Sequence, residues 1–352
     1  MQIVKHLATR IAGIYKLRLL LPKRAVIAYY EWSLRGSEVD PTLRAMLDHF
    51  RISKLYDKTS RMWVHLLYIH VQRLASGISI QEITKNYCLR FASLDKVSPA
   101  LRISSELPTD PHKAVAIIMR NYIYEQFGDS AIAAKTTTPS GLDHAVEIDG
   151  KLYSQDSLQS IIEVEWVKRD VSLNHAVVLE IGAGYGRLAS ALFSGGVRQY
   201  VIVDIPPALH VSQSFLRTTF PERRIFQFRP FNSFDKVRDE MVKAEIVFLM
   251  PDQLRLLPDG MIDLSIGINC FQEMLLEQVV DYLNQFDRLS RYVYLKAMDT
   301  PHNVYKEMLL PFDQYPINPS WRQVKSEPCM LPIGYTSTLY ECRPSTELST
   351  NN

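Results

Sequence analysis

The chain has 352 residues, enough for two domains with a core each. Its 47% apolar and 22% charged residues exclude a disordered or fibrous protein, and a formal charge of +2 excludes a global electrostatic case for nucleic acid or a strongly acidic partner. Four cysteines, Cys88, Cys270, Cys329 and Cys342, stand apart without metal-ligand spacing, which argues against a disulfide framework and fits reduced thiols in a cytoplasmic setting.

Residues 1–30 carry Lys5, Arg10, Lys16, Arg18, Lys23 and Arg24 among leucines, isoleucines and valines, and no acid precedes Glu31. Lys16 and Arg18 interrupt what would be the apolar core of a signal peptide, and no run approaches the roughly 20 apolar residues of a membrane span. The segment reads as a basic amphipathic helix with a solvated charged face, or as one lying peripherally on an anionic membrane.

Up to residue 149 the periodicity is helical. Asp40-Pro41 and Asp110-Pro111 each set a capping acid before a proline at the first helical position. Trp63, Leu66, Leu67, His70 and Leu74 form one apolar stripe, and Val115, Ile118, Tyr122 and Ile123 another. Ser79 and Glu82 have capping-box spacing before a helix carrying Ile83 and Tyr87. His65 and His70 have no partner at ligand spacing and read as structural. An apolar face left open on this helical part would suit a homodimer. Residues 128–150, with Ala133 to Gly141 and a turn at Glu147 to Gly150, read as the connection to the second part.

After Tyr153, Ser154, Asp156 and Ser157 form a cap that opens a helix through Trp166. An apolar strand then runs into Val177-Val-Leu-Glu-Ile-Gly-Ala-Gly-Tyr-Gly186, with glycine at 182, 184 and 186, and a second apolar run, Tyr200 to Val203, ends at Asp204. Strand, glycine turn, helix and second strand make the unit that holds a nucleotide-like cofactor at the carboxyl ends of parallel strands, with Asp204 placed for ribose hydroxyls. A dinucleotide turn needs its third glycine where Arg187 stands, which disfavours a dinucleotide oxidoreductase. Pro206-Pro207 starts a further helix. Arg224 to Phe228 reads as the third strand, Ile246 to Met250 as an inserted one, and Ile262 to Ile268 and Tyr292 to Ala297 as the fourth and fifth, with a helix from Leu275 to Phe286 between the last two. Trp321 to Glu327 and Tyr335 to Arg343 fit a long antiparallel pair, and residues 344–352 a frayed tail.

The pattern E-x-G-x-G-x-G from Glu180 to Gly186 resembles the first motif of class I, Rossmann-like, S-adenosylmethionine-dependent methyltransferases. Together with Val203-Asp-Ile-Pro206 and Asn269-Cys-Phe-Gln-Glu-Met274, it resembles the bacterial sugar O-methyltransferase family over about residues 150–343. Cys270 departs from that family's usual Ser or Thr, and Met250-Pro-Asp-Gln253 from its usual aromatic after the proline. The resemblance implies an α/β fold: a Rossmann-like seven-stranded class I methyltransferase sheet closed by a reversed strand, at 150–343, behind an N-terminal α-helical domain at 1–149.

It further implies S-adenosylmethionine as cofactor, S-adenosylhomocysteine as product, and a sugar or glycan as acceptor. Glu180, Gly182, Ala183, Gly184, Tyr185, Gly186, Asp204, Ile205 and Asn269 are the expected cofactor contacts. Glu273 is the first candidate for the general base, with capping of the next helix as its alternative role, and His302 is the second. Gln272, Tyr153 and Asp156 are candidate substrate contacts, and Asp252 a candidate for the adenine or for a substrate hydroxyl. Asp252, Asp263 and Asp299 are dispersed, so no metal is expected. Methylation of a non-sugar hydroxyl or an amine, and a non-catalytic module retaining the fold, are the competing readings.

Overall fold

The structure, a computed structural model, describes residues 23, 40–85, 94–101, 108–133, 145–300 and 310–342. The basic amino-terminal segment apart from Lys23, Tyr87, most of the connection before residue 145, His302 and the tail at 344–352 lie outside the described residues.

The caps form as their chemistry dictates. Asp40 accepts from the backbone of Thr42 and Leu43 and starts α1 (Pro41–Ile52). Ser60 caps α2 (Arg61–Ala75), Ser79 caps the short α3 (Ile80–Thr84), and Asp110 caps α4 (Pro111–Phe127). Each supplies an oxygen to an amide the helix itself cannot satisfy. A small hairpin follows, β1 (Val146–Ile148) and β2 (Lys151–Tyr153), where the sequence reading had only a turn. Its two-residue corner places Asp149 and Gly150 at φ of 52° and 74°, the left-handed pair that suits the twist of a tight hairpin. Ser154 and Ser157 then cap each other at the start of α5 (Gln155–Lys168).

The remaining elements alternate: β3 (Val177–Ile181), α6 (Ala189–Ser194), β4 (Gln199–Val203), α7 (Ala208–Thr219), β5 (Ile225–Phe226), α8 (Arg238–Lys243), β6 (Ile246–Leu249), β7 (Ile262–Ile268), α9 (Leu276–Leu289) and β8 (Ser290–Met298). The antiparallel pair β9 (Arg322–Pro328) and β10 (Tyr335–Glu341) completes the sheet. The strand order is β5-β6-β4-β3-β7-β8-β10-β9, parallel from β5 to β8, with β10 reversed against β8. This is a Rossmann-like, mostly parallel α/β sheet that ends in the reversed strand expected from the sequence.

One placement differs from the reading of the sequence. The run at 246–249 is an interior strand beside β4, while the expected third strand shrinks to two residues at the sheet edge, giving eight strands. Ile246, Val247, Phe248 and Leu249 are all fully buried, as a strand covered on both faces must be. Arg224, Gln227 and Arg229 around β5 are solvated and Pro230 follows, as an edge allows.

Alternation along the strands divides the core. Val178, Tyr200, Ile202, Ile266 and Tyr294 face one layer, where α1, α2, α5, α6 and α7 pack in a single cluster with them. Leu179, Val201, Val203, Val247 and Leu295 face the other, against Met241 of α8 and Val279, Leu283 and Phe286 of α9. The helices at 40–85 thus bury their apolar stripes on the same layer as the sheet's own helices, and they overhang its carboxyl edge through Asp40, whose carboxylate lies 3.3 Å from His210 of α7.

Candidate active site

Connections from β3 and β7 leave the sheet in opposite directions, so their carboxyl ends open a crevice at the point where such folds bind ligands. The glycine turn fills its floor. Gly182 and Gly184 have φ of 70° and 61°, a left-handed conformation that side chains resist. A Cβ on Gly182 would stand 2.6 Å from Cys270 Cβ, so the turn and the end of β7 approach as closely as they do only because position 182 has no side chain. Asp204, at the tip of β4, braces the turn: one carboxylate oxygen accepts from Gly184 N at 3.2 Å and the other from Ile205 N at 2.8 Å.

Two hollows open above this floor, one of about 80 Å³ and one of about 310 Å³, and they share Thr59, Ile205, Gln278 and Tyr282, so they form one cleft. The smaller is lined by Gly182, Gly184, Asp204, Asn269, Glu273 and Trp63, the larger by Pro251, Asp252 and Arg255 among others. Two buried acceptors at the cleft have no hydrogen-bond partner among the described residues, Asn269 Oδ1 and Asp252 Oδ1. A buried polar atom left unpaired costs about 1–3 kcal/mol, which a ligand donor at each would recover. Asn269 sits at φ 55° with its amide bonded to Lys296 O at 2.8 Å, a strained backbone that aims the side chain from the end of β7. Asp252 is held from the other side by His49 of α1, whose Nε2 lies 2.9 Å from Asp252 Oδ2.

Among the residues that line the smaller hollow, Asp204 and Glu273 have no Lys or Arg with them; Lys58 and Arg255 line the larger one. Burial pushes Asp204 up to about 7 despite its two amide bonds. Burial likewise raises Glu273 to about 7; the Trp63 side chain, hydrogen-bonded to it, pulls the other way, and the charge of Asp204 adds to the rise. Glu180 also reaches about 7 through burial, against the lowering effect of Tyr200, whose hydroxyl donates to it, and of Arg187.

Of the expected cofactor contacts, the structure brings Gly182, Gly184, Asp204, Ile205 and Asn269 to the cleft, joined by the base candidate Glu273. Glu180, Ala183, Tyr185 and Gly186 do not line it. Strand alternation turns Glu180 beneath the turn toward Tyr200, Tyr185 packs with Ile83 and Val211, and a Cβ on Gly186 would meet Leu216 of α7 at 2.8 Å. The alternative role of Glu273, capping the next helix, belongs instead to Gln278, whose Oε1 accepts from Leu275 N at 3.1 Å. Gln272 turns away to accept from Met298 N at 3.2 Å. Tyr153 is buried in the cluster of α4 and α5, and Asp156 is buried in the first turn of α5, both away from the cleft lining.

Among the residues at the cleft that the sequence did not single out are Thr59, Trp63, Lys58 and Arg255 in its lining and His49 behind Asp252. Trp63 was taken only as part of an apolar stripe, yet it stands half-exposed over the cleft while Val64, Leu67 and Val71 carry the packing. An indole at the edge of such a stripe has an N–H that must find an acceptor, but the sequence does not say where that acceptor lies.

No protein-family model matches the chain, and no curated protein matches it significantly. The resemblance to sugar O-methyltransferases therefore stands on its three motifs. Among solved structures, the chain is similar to magnesium protoporphyrin IX methyltransferase from Synechocystis PCC 6803 with bound SAH, at 13% identity over 52% of this chain and 80% of that one, with a TM-score of 0.37. It is also similar to a SAM dependent methyltransferase from Aquifex aeolicus, at 14% identity over 51% and 90% of the two chains, with a TM-score of 0.32. A Pyrococcus horikoshii OT3 protein is 14% identical over 54% of this chain and 92% of its own, with a TM-score of 0.37.

Proposed function

We propose that the chain is an S-adenosylmethionine-dependent O-methyltransferase whose acceptor is a sugar hydroxyl. The observation that carries the reading is the convergence, on one cleft at the strand switch point, of the glycine turn, the partnerless Asn269 Oδ1 and the paired carboxyls Asp204 and Glu273. When bound, the cofactor supplies a methyl group on a sulfonium. Asp204 would take the ribose hydroxyls, Ile205 and Pro251 the flanks of the adenine, Asp252 Oδ1 its amino group, and Asn269 Oδ1 the ammonium of the amino-acid end.

The transfer is an in-line displacement, so the protein must hold the acceptor oxygen behind the methyl carbon and keep water out. Thr59 and Trp63, from the helical segment at 40–85, line the cleft and would limit access of water to it. A hydroxyl is a poor nucleophile and gains from a base whose affinity for protons matches neutral pH. Glu273, at about 7 and hydrogen-bonded to Trp63, meets that requirement. The sugar as acceptor rests on the resemblance of residues 269–274 and of the other two motifs.

Calorimetric titration with S-adenosylhomocysteine, with NAD as control, tests the reading. Micromolar binding that Asp204→Ala weakens at least about tenfold is expected, alongside Glu273→Gln protein that binds normally but turns over about 10²–10⁴-fold more slowly. Equal binding of NAD, or no binding of S-adenosylhomocysteine to folded protein, would sink it. Turnover is expected to survive a chelator; its loss, restored by magnesium, would overturn the metal-free reading.

A further inference from the structure

A second cavity, of about 240 Å³, lies on the α5 side of the sheet, over β8 and β10 and under the connection at 328–331. None of its lining residues is shared with the cleft. Its walls combine two kinds of surface. Trp166 and Tyr294 pack with ring centroids 5.4 Å apart, and Lys325 Nζ, paired with Asp170, lies 3.8 Å over the Trp166 ring, while Ile162, Met330 and Leu331 add apolar lining. Gln159, Glu163, Lys296 and Ser337 present polar atoms beside them.

The polar atoms are arranged with spare capacity. Glu163 accepts from Lys296 Nζ at 2.8 Å and from Gln159 Nε2 at 3.2 Å, and its other oxygen lies 2.7 Å from Arg187 Nη1. That carboxylate settles which way the Gln159 amide faces, because its NH₂ must point to the acceptor. Gln159 Oε1 is consequently turned away from Glu163, and it is buried with no partner among the described residues, in a residue 1% exposed. Lys296, 2% exposed, spends one of its three donors on Glu163. Tyr294 and Ser337 share a hydrogen bond of 3.0 Å between hydroxyls that each retain acceptor capacity. The charges of Glu163 and Glu327 balance those of Arg187 and Lys296, so the chamber favours a guest without net charge.

A guest that donates to Gln159 Oε1, accepts from Lys296 Nζ and sets its C–H groups against the apolar lining of Ile162, Met330 and Leu331 is a polyhydroxylated ring. We propose that this cavity binds a neutral pyranose, one sugar unit of the acceptor. Binding follows from the cavity's own chemistry; the role as acceptor rests on the methyl-transfer reading. One backbone hydrogen bond ties a residue of the cleft to a residue of the cavity wall. Lys296 O accepts from the amide of Asn269 at 2.8 Å, across β7 and β8.

Saturation-transfer NMR with methyl glycopyranosides at millimolar concentration, on full-length protein with and without S-adenosylhomocysteine, tests the proposal. At least one pyranoside is expected to give a signal that Gln159→Leu reduces about tenfold, since the variant removes the unpaired acceptor, while affinity for S-adenosylhomocysteine changes less than about twofold. Should Gln159→Leu lose its cooperative melt, Cys329→Phe fills the cavity from the opposite wall and is expected to have the same effect. No pyranoside signal with wild-type protein, or signals unchanged in the folded variants, would overturn the site. Pyranoside binding without S-adenosylhomocysteine binding would instead refute the methyl-transfer reading and leave the site standing.

Discussion

Glu163 and Glu180 stand on neighbouring elements, and both are 3% exposed, yet their proton affinities move in opposite directions. Burial works to raise both. At Glu163 the charges of Arg187 and Lys296 overcome it and hold the carboxyl below its usual range. At Glu180 the Tyr200 hydroxyl and the more distant Arg187 fall short, and the carboxyl rises to about 7. The difference shows that burial alone does not decide the state of a carboxylate; the cation placed against it does. It also distinguishes the second cavity, which is internally neutralised, from the smaller hollow of the cleft, where Asp204 and Glu273 are near 7 and no lining residue carries the positive charge that a sulfonium and an ammonium would bring.

Removing the cation should break the contrast outright. Arg187→Met leaves Glu163 buried with Lys296 alone, and such a loss typically costs about 3–5 kcal/mol. Glu180→Gln at pH 8 removes a carboxyl that has no cation against it, and should leave stability within about 1 kcal/mol of wild type or raise it. Urea unfolding of the two variants checks both. Equal destabilisation would mean that the charges at Glu163 and Glu180 are not differently compensated.

The pH dependence of stability sharpens the same comparison. Glu180, Asp204 and Glu273 bind protons more tightly folded than unfolded, so their stabilisation is complete below the ordinary carboxylate range near 4 and is lost as pH rises through about 7. Glu163 contributes oppositely, but its loss comes as pH falls below that ordinary range, outside the window. The ligand-free protein should therefore lose stability between pH 5 and 8, about 2–3 kcal/mol for each of the three carboxyls taken singly, each pKa unit being worth about 1.4 kcal/mol. A cationic ligand in the cleft favours the carboxylates, so binding S-adenosylmethionine near pH 6.5 should release protons. Calorimetry in two buffers of different ionisation enthalpy measures that release, and a melting temperature that rises from pH 5 to 8 would contradict the assignment.

The cleft was legible in part because its pieces are local in sequence. The glycines at 182 and 184, Asp204 at a strand tip and Asn269 with Glu273 at another all announce themselves by where a strand ends, and strand ends are what periodicity marks. Glu180 was misplaced for a reason of the same kind: a period of two sends a strand's last acid to one face or the other, and a motif does not say which is covered. Ile246 to Leu249 was recognised as a strand, but its place beside β4 depends on pairing, which no single segment encodes. Thr59, Trp63 and His49 were invisible because they approach from helices more than a hundred residues away in the chain, so their role exists only once α1 and α2 have packed on the layer of α7. The second cavity was hidden likewise, since Gln159, Lys296 and Ser337 belong to three separate elements.

His49 gives the finest test of how these distant helices serve the cleft. Its Nε2 lies 2.9 Å from Asp252 Oδ2, and its ring meets Phe228 edge-on at 5.5 Å, so the imidazole is clamped between an aromatic and the carboxylate it orients. With one oxygen occupied, Asp252 is left to present Oδ1, the partnerless atom, to the cleft. His49→Ala removes the clamp and lets the carboxylate rotate toward water. The loss of one such bond is worth about 1 kcal/mol, so affinity for S-adenosylhomocysteine should fall about fivefold. His49→Gln retains a side-chain amide able to donate to Asp252 and should recover part of the loss. Pyranoside binding in the second cavity should be unmoved in both variants, because no residue of α1 lines it. An equal drop in both ligands would mean that His49 supports the fold as a whole, whereas a drop confined to S-adenosylhomocysteine would make it a positioning residue for the adenine end of the cleft.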